Sequence, residues 1–423
     1  MKNIMEYSRA ELLSFRQVLQ TEYRRYQDRR LKLDLSRGKP AGSQLDLNSA
    51  LLERLDTHTT ADGVDVRNYG LLEGIAEARA LFSELLGIPV ERIVIGGNSS
   101  LNLMYDAMVR CMLFGTGGAT PWSKLEKVKF LCPSPGYDRH FAICEELGIE
   151  MITVPMTPDG PDMDTVERLA AEDPAVKGIW CVPLYSNPQG YCCSDATVDR
   201  LGAMKCAAPD FRIFWDNAYG VHHLYKEHQL KDIFRACEAG GHPDRVFYFF
   251  STSKITFPGA GVAMVASSPA NILDIRKRMS VQTIGHDKIN QLRTVRYLGS
   301  ADGVRALMRN LAAAMRPKFD LVQNILEREL GGSGLATWTK PDGGYFVSLD
   351  TLDHCARETV RLAQDAGVKF TGAGATFPYK KDPNDRNLRI APTYPSLEDL
   401  KTAMEIFCLA VKLAGVEKRL SEI

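Results

Sequence analysis

Residues 246–266 read VFYFFSTSKITFPGAGVAMVA. The apolar runs Val246–Phe250 and Gly261–Ala266 have the length and aromatic or branched content of buried strands, and a polar, glycine-bearing turn separates them. Lys254 sits in that turn. A lysine directly after a buried strand loses solvation, which lowers its pKa toward that of a nucleophilic amine. The bland alternative is a lysine whose stem lies along the strand end with its head in water.

Working outward, further strands are predicted at Ile93–Ile95, Lys129–Cys132, Met151–Val154, Gly178–Pro183 and Arg212–Asp216. Amphipathic stretches at 99–113, 138–147, 163–171 and 195–206 lie between them and read as helices. Strands alternating with helices imply an α/β fold with a mostly parallel, seven-stranded sheet covered on both faces. Ligands of such sheets sit beyond the carboxyl ends of the strands.

Outside this block the pattern changes. Residues 8–30 carry apolar positions at helical spacing, with Ser8 as N-cap and Glu11 completing a capping box. Residues 34–42, DLSRGKPAG, read as a loop. After residue 300 a long helix at 304–328 leads into strands at Tyr345–Asp350 and Leu388–Ile390, a smaller α+β domain. The expected division is 1–60, an N-terminal segment joining the small domain; 61–300, the large domain; and 301–423, the small C-terminal domain.

The chain has 423 residues, 45% hydrophobic and 25% charged, with 52 basic and 52 acidic side chains. That balance gives no electrostatic footprint for nucleic acid or an anionic membrane. No run approaches a membrane span, and the N-terminus lacks the apolar stretch of a secretory signal. The ten cysteines show no C-x-x-C pair, so no metal site is expected and a reducing, cytoplasmic location follows.

Three more segments fall at predicted strand ends. Phe214–Tyr219, FWDNAY, runs an apolar strand into Asp216, a carboxylate that needs a cationic partner if buried and is otherwise a helix cap. Tyr185–Gly190, YSNPQG, carries turn chemistry around Asn187. Ile95–Ser100, IGGNSS, leads from a strand into a helix whose first N–H groups can hold a phosphate.

Taken together, in this order and spacing, these four segments resemble the class I/II aminotransferases, fold-type I enzymes dependent on pyridoxal 5′-phosphate, over nearly the whole chain. The resemblance implies that Lys254 carries the cofactor as a Schiff base and that Ser251 contacts its phosphate. It implies that Asp216 meets the pyridine nitrogen, while Tyr219 and Asn187 reach the ring oxygen. Asn98, Ser99 and Ser100 match the phosphate turn, and Tyr69, in Asn68-Tyr69-Gly70, matches a tyrosine that reaches the phosphate of the neighbouring subunit. Arg389 matches the arginine that forks onto the substrate α-carboxylate, and Gly38 a loop glycine that closes over the substrate.

Two departures are visible. The family's arginine about eight residues after the lysine is missing from Gly259-Ala260-Gly261-Val262. The aromatic that stacks on the ring is replaced at its usual place by Ser134, which leaves Tyr137 as the stacking candidate. The segments LSRGKP, PSPGYDRH, STSKITFPGAGVA and TIGHDKINQLR resemble the type Ic subgroup of bacterial aspartate aminotransferases, related to the aminotransferase-like half of some transcription regulators.

The expected reaction moves the amino group of L-aspartate to 2-oxoglutarate by a ping-pong route, with Lys254 as the proton carrier and Arg389 with Asn187 on the α-carboxylate. Arg37 and Lys39 are favoured as readers of the distal carboxylate; Arg139, His140, Lys288 and Arg293 are the other cations considered. A homodimer with shared sites is implied. The alternatives are an aminotransferase for aromatic or other amino acids, a lyase acting without a keto-acid acceptor, a cofactor-binding regulatory module that would bind DNA, and an α/β protein in which Lys254 is structural.

Overall fold

A computed structural model describes residues 2–423. Its strands are β1 (Leu33–Asp34), β2 (Ile93–Ile95), β3 (Lys129–Ser134), β4 (Glu150–Thr157), β5 (Gly160–Pro161), β6 (Val176–Cys181) and β7 (Arg212–Asp216). They continue with β8 (Val246–Ser251), β9 (Ala263–Ala266), β10 (Ala336–Trp338), β11 (Val347–Thr351), β12 (Val368–Lys369) and β13 (Asn387–Ile390). The main sheet runs β2-β9-β8-β7-β6-β3-β4-β5. Its centre, β8 through β4, is parallel, while β9 runs antiparallel to both β8 and β2.

All seven expected strands are present, and the two-residue β5 adds an eighth as an antiparallel hairpin on β4. The strand predicted at Gly178–Pro183 lies slightly earlier, at Val176–Cys181. Pro183 has no N–H to give to a ladder, so it falls outside the strand.

Alternation along the strands separates two apolar layers. Ile93, Ile95, Ile179, Ile213 and Trp215 enter one, and Val94, Phe130, Trp180, Phe214 and Phe249 enter the other. A third core joins Leu12, Leu19 and Tyr23 of the helix Arg9–Asp28 to Phe407, Val411 and neighbours in the helix Leu397–Glu422. The 30-residue helix Ala301–Leu330 links the cores, with Val304 and Met308 in one and Met315, Phe319 and Val322 in another. Beside it, β10, β11 and β13 form a small antiparallel sheet, and β1 pairs in parallel with β12.

Local signals act as read. Ser8 caps its helix, with Glu11 N–H donating to Ser8 Oγ at 3.3 Å and Ser8 N–H to Glu11 Oε2 at 2.7 Å. The helix predicted at 195–206 stops at Ala203, because Arg245 donates to the carbonyls of Leu201, Gly202 and Met204 and so satisfies its last turn. Among the described residues no helix is long and apolar enough to cross a membrane.

Candidate active site

The parallel strands aim their carboxyl ends at one region. Asp216 ends β7, Ser251 ends β8 with Lys254 three residues on, Ser134 ends β3, and the loop after β6 brings Asn187. Period-two alternation puts Asp216 on the same face as Phe214, hence toward Trp180 and the helix Asp138–Glu146.

Lys254 Nζ donates to Tyr219 Oη at 2.6 Å and lies 3.9 Å from that ring's centre and 5.3 Å from that of Tyr345. Burial lowers its pKa to about 7; the charge of Arg389 adds to that effect and Asp216 opposes it. Burial, with Tyr137 and Asp216 nearby, pushes the Tyr219 phenol well above its ordinary range. An amine poised near neutrality beside a phenol that stays protonated can take up and release a proton at physiological pH.

Asp216 is 2% exposed. Its Oδ2 lies 3.0 Å from His140 Nε2, and its Oδ1 is buried without a hydrogen-bond partner. A buried carboxylate oxygen left unpaired costs about 1–3 kcal/mol or more, so this atom calls for a donor. A protonated pyridine nitrogen is such a donor, and the donor set therefore fits the cofactor. The His140 ring stacks on Trp180, with centroids 4.3 Å apart, and stands edge-on to Tyr137 at 5.0 Å.

The glycine turn before the helix Ser100–Phe114 is shaped for close approach. Gly97 has φ +57°, and a Cβ on Gly96 would come within 2.5 Å of Leu103. Ser99 occupies the N-cap position without making a side-chain cap bond. Ser251 Oγ donates to Ser253 Oγ at 3.2 Å, and Ser253 Oγ donates to the Asn98 carbonyl at 3.1 Å. Asn98, Ser99, Ser100, Ser251 and Ser253 thus form a cluster of neutral donors at a helix start. Where the family's arginine is missing, Asn290 donates to the carbonyls of Ala260 and Gly261, and Arg293 donates to Asn290 Oδ1 at 2.7 Å.

Arg389 lies on β13 and is 8% exposed. One terminal nitrogen, Nη1, donates to Asn187 Oδ1 at 3.2 Å and to Asp138 Oδ1 at 3.0 Å; the other, Nη2, donates to Thr371 Oγ1 at 3.3 Å. Its guanidinium lies 4.8 Å from the Phe346 ring centre. Gly38 packs closely on the same ring, where a Cβ would sit 2.3 Å from Phe346 Cζ. The loop is tied down further by Thr371 Oγ1 donating to the Ser36 carbonyl and Thr393 Oγ1 to that of Lys39.

The remaining expected residues are spread more widely. Tyr69 is 83% exposed and makes no contribution to its own chain's site. Arg37 and Lys39 are exposed on the loop, the Lys39 amine 3.8 Å from the Tyr394 ring centre. Arg139 is exposed on a groove with Ser99 and Tyr105. Lys288 is buried, donating to the Gly70 carbonyl. His140, weighed as a distal-carboxylate reader, instead points inward to Asp216. Sequence reasoning missed Asp138, Tyr345, Phe346 and Thr371; none carries a local signal, because each is brought in by the small sheet, by the pairing of β12 with β1, or by the first turn of a helix. His222, also missed, has its pKa lowered to about 3 by burial and faces the Lys254 carbonyl at 3.3 Å.

A lysine, a buried aspartate and an arginine fork converging beyond the strand ends of an α/β sheet with an apolar core on each face define an aminotransferase of the fold-type I class. Residues 7–422 match the aspartate amino-transferase family model, and the chain belongs to that family. It is 49% identical to an aminotransferase of Mycolicibacterium smegmatis, covering 98% of both chains. It is 45% identical to the aspartate aminotransferase of Corynebacterium glutamicum, covering 98% of this chain and 97% of the relative. A crystal structure of an aspartate transaminase from that organism superposes with a TM-score of 0.96 over 99% of each chain at 45% identity. The fold is shared more distantly with the alpha-aminoadipate aminotransferase of Thermus thermophilus, solved with N-(5′-phosphopyridoxyl)-L-leucine, at 20% identity and TM-score 0.72 over 93% of this chain and 94% of that one. Aminotransferases of this fold use pyridoxal 5′-phosphate.

Proposed function

We propose that this chain binds pyridoxal 5′-phosphate on Lys254 and transfers the amino group of L-aspartate to 2-oxoglutarate. The observation that carries the reading is the buried Asp216 Oδ1 without a partner, set near an amine whose pKa burial lowers to about 7. When bound, the cofactor supplies an electron sink for the substrate's Cα. Asp216, oriented by His140, holds the proton on the ring nitrogen. Tyr219 donates to the ring oxygen and keeps Lys254 Nζ in place. Lys254 would remove the Cα proton as a base and release it again as an acid. Arg389, with Asn187, grips the α-carboxylate. The serine and asparagine hydroxyls and amides around Asn98–Ser100, with Ser251, hold the phosphate, and Tyr137 covers the ring.

Arg37 and Lys39 are the proposed readers of the distal carboxylate; Arg37 has no carboxylate within ion-pair distance among the described residues, and the loop carrying both is tied to the Arg389 region. The exposed Tyr69 supports a symmetric homodimer in which it completes the partner's phosphate site. Packing of the helix Arg9–Asp28 on the helix Leu397–Glu422 supports the division into a large domain at 61–300 and a small domain formed by 301–423 with 1–60. A cytoplasmic location completes the proposal. Single-turnover spectra of the holoenzyme with a panel of amino acids test it. Aspartate should convert the absorbance to that of the amine form, and 2-oxoglutarate should reverse it. A spectrum untouched by aspartate but changed by alanine or an aromatic amino acid overturns the substrate assignment.

A further inference from the structure

The arginine read as the substrate's carboxylate fork already holds a carboxylate of its own chain. Arg389 Nη1 donates to Asp138 Oδ1 at 3.0 Å, and among the described residues Arg389 is the one cation within ion-pair distance of Asp138. We propose that Asp138 is an internal competitor for the Arg389 carboxylate subsite, exchanging with the α-carboxylate of substrate and product and so setting the affinity for both. The proposal rests on the reading of Arg389 given above.

A guanidinium binds a carboxylate best through two parallel N–H groups. Here Nη2 is lightly held by the Thr371 hydroxyl, while Nη1 is shared between Asn187 and Asp138. An incoming carboxylate gains the full fork only where Asp138 leaves, since two carboxylates on one cation repel. The two partners differ in freedom. The arginine side chain is 8% exposed and pinned by Asn187, Thr371 and the Phe346 ring, whereas the Asp138 side chain is 35% exposed. Asp138 is also the first residue of the helix Asp138–Glu146, where the helix dipole favours a negative charge. Displacement therefore releases Asp138 toward water while the helix start still favours its charge, and it leaves Arg389 paired throughout. A buried guanidinium without a partner is costly, and exchange of one carboxylate for another avoids that state when the site empties.

Because amino acid and oxo acid carry the same α-carboxylate, the competition acts on every ligand of the cycle. The test is binding and kinetics of the holoenzyme with Asp138→Asn, Asp138→Glu and Arg389→Lys, each checked for a wild-type melting profile. Maleate, an unreactive dicarboxylate, is titrated by calorimetry alongside KM measurements for donor and acceptor. Asp138→Asn should tighten maleate and lower both KM values about three- to tenfold, the range of a part-exposed ion pair. Asp138→Glu, which keeps the charge, should restore maleate affinity to within about twofold of wild type on the same scale. Maleate binding that is unchanged or weakened by Asp138→Asn, while Arg389→Lys weakens it tenfold or more, overturns the competitor role alone. Maleate binding indifferent to Arg389→Lys overturns the carboxylate reading of Arg389 and the proposal with it.

Discussion

Replacing Lys254 by Met should stabilise the cofactor-free protein, and the gain should depend on pH in one direction. The amine is lowered from its ordinary 10.5 to about 7, chiefly by burial. Between those values the unfolded chain carries the proton and the folded chain does not. The unfolded state then binds more protons, so wild-type stability rises with pH across that window. Below about 7 both states are protonated and the full cost of the buried ammonium is felt. At about 1.4 kcal/mol per tenfold change in proton affinity, that cost is about 4–5 kcal/mol as an upper bound. Urea denaturation of wild type and Lys254→Met from about pH 6 to about pH 10.5 measures it, and the other titrating groups largely cancel in the difference. The variant should be the more stable at neutral pH and below, with the gap shrinking by about 1.4 kcal/mol per pH unit toward pH 10. A gap constant with pH, or one that widens above pH 7, refutes the desolvated-amine argument.

Gly38→Ala drives a Cβ to 2.3 Å from Phe346 Cζ, so the ring beneath Arg389 must move. KM for carboxylate substrates should rise about tenfold at a stability cost of about 1–3 kcal/mol, read by steady-state kinetics and thermal melting. Asp210 accepts from buried Lys177 Nζ and from Trp122 Nε1, both at 2.7 Å; Asp210→Ala strands both donors and should cost about 3–5 kcal/mol in thermal denaturation. Ser8→Ala should cost about 1 kcal/mol through the lost cap and leave the spectrum of the bound cofactor unchanged.

The fold was legible where local pattern and tertiary role agree. Val246–Phe250 and Arg212–Asp216 are buried on both faces, as continuous apolar runs of central parallel strands must be. The helix Leu397–Glu422 went unassigned because it is apolar on most of its surface, from Leu400 to Leu420, and so shows no single stripe. The two-residue strands β1, β5 and β12 are too short to carry a period. Within the site, Lys254, Asp216 and Asn187 were readable because their motifs stand at strand ends, and the structure brings Lys254 onto Tyr219 and Asn187 onto Arg389. His140 was weighed as a reader of the distal carboxylate because its actual partner, Asp216, lies 76 residues away, on a strand whose face is decided by sheet register. Asp138 and Phe346 were invisible for the same reason: each acquires its role only when the small sheet carries Arg389 over the large one.

The proposed chemistry requires covalent attachment of the cofactor at one amine. Holoenzyme reduced with borohydride, digested and mapped by mass spectrometry should show the phosphopyridoxyl mass on the peptide bearing Lys254 and on no other. A label on a different lysine, or none after saturation with pyridoxal 5′-phosphate, would contradict it.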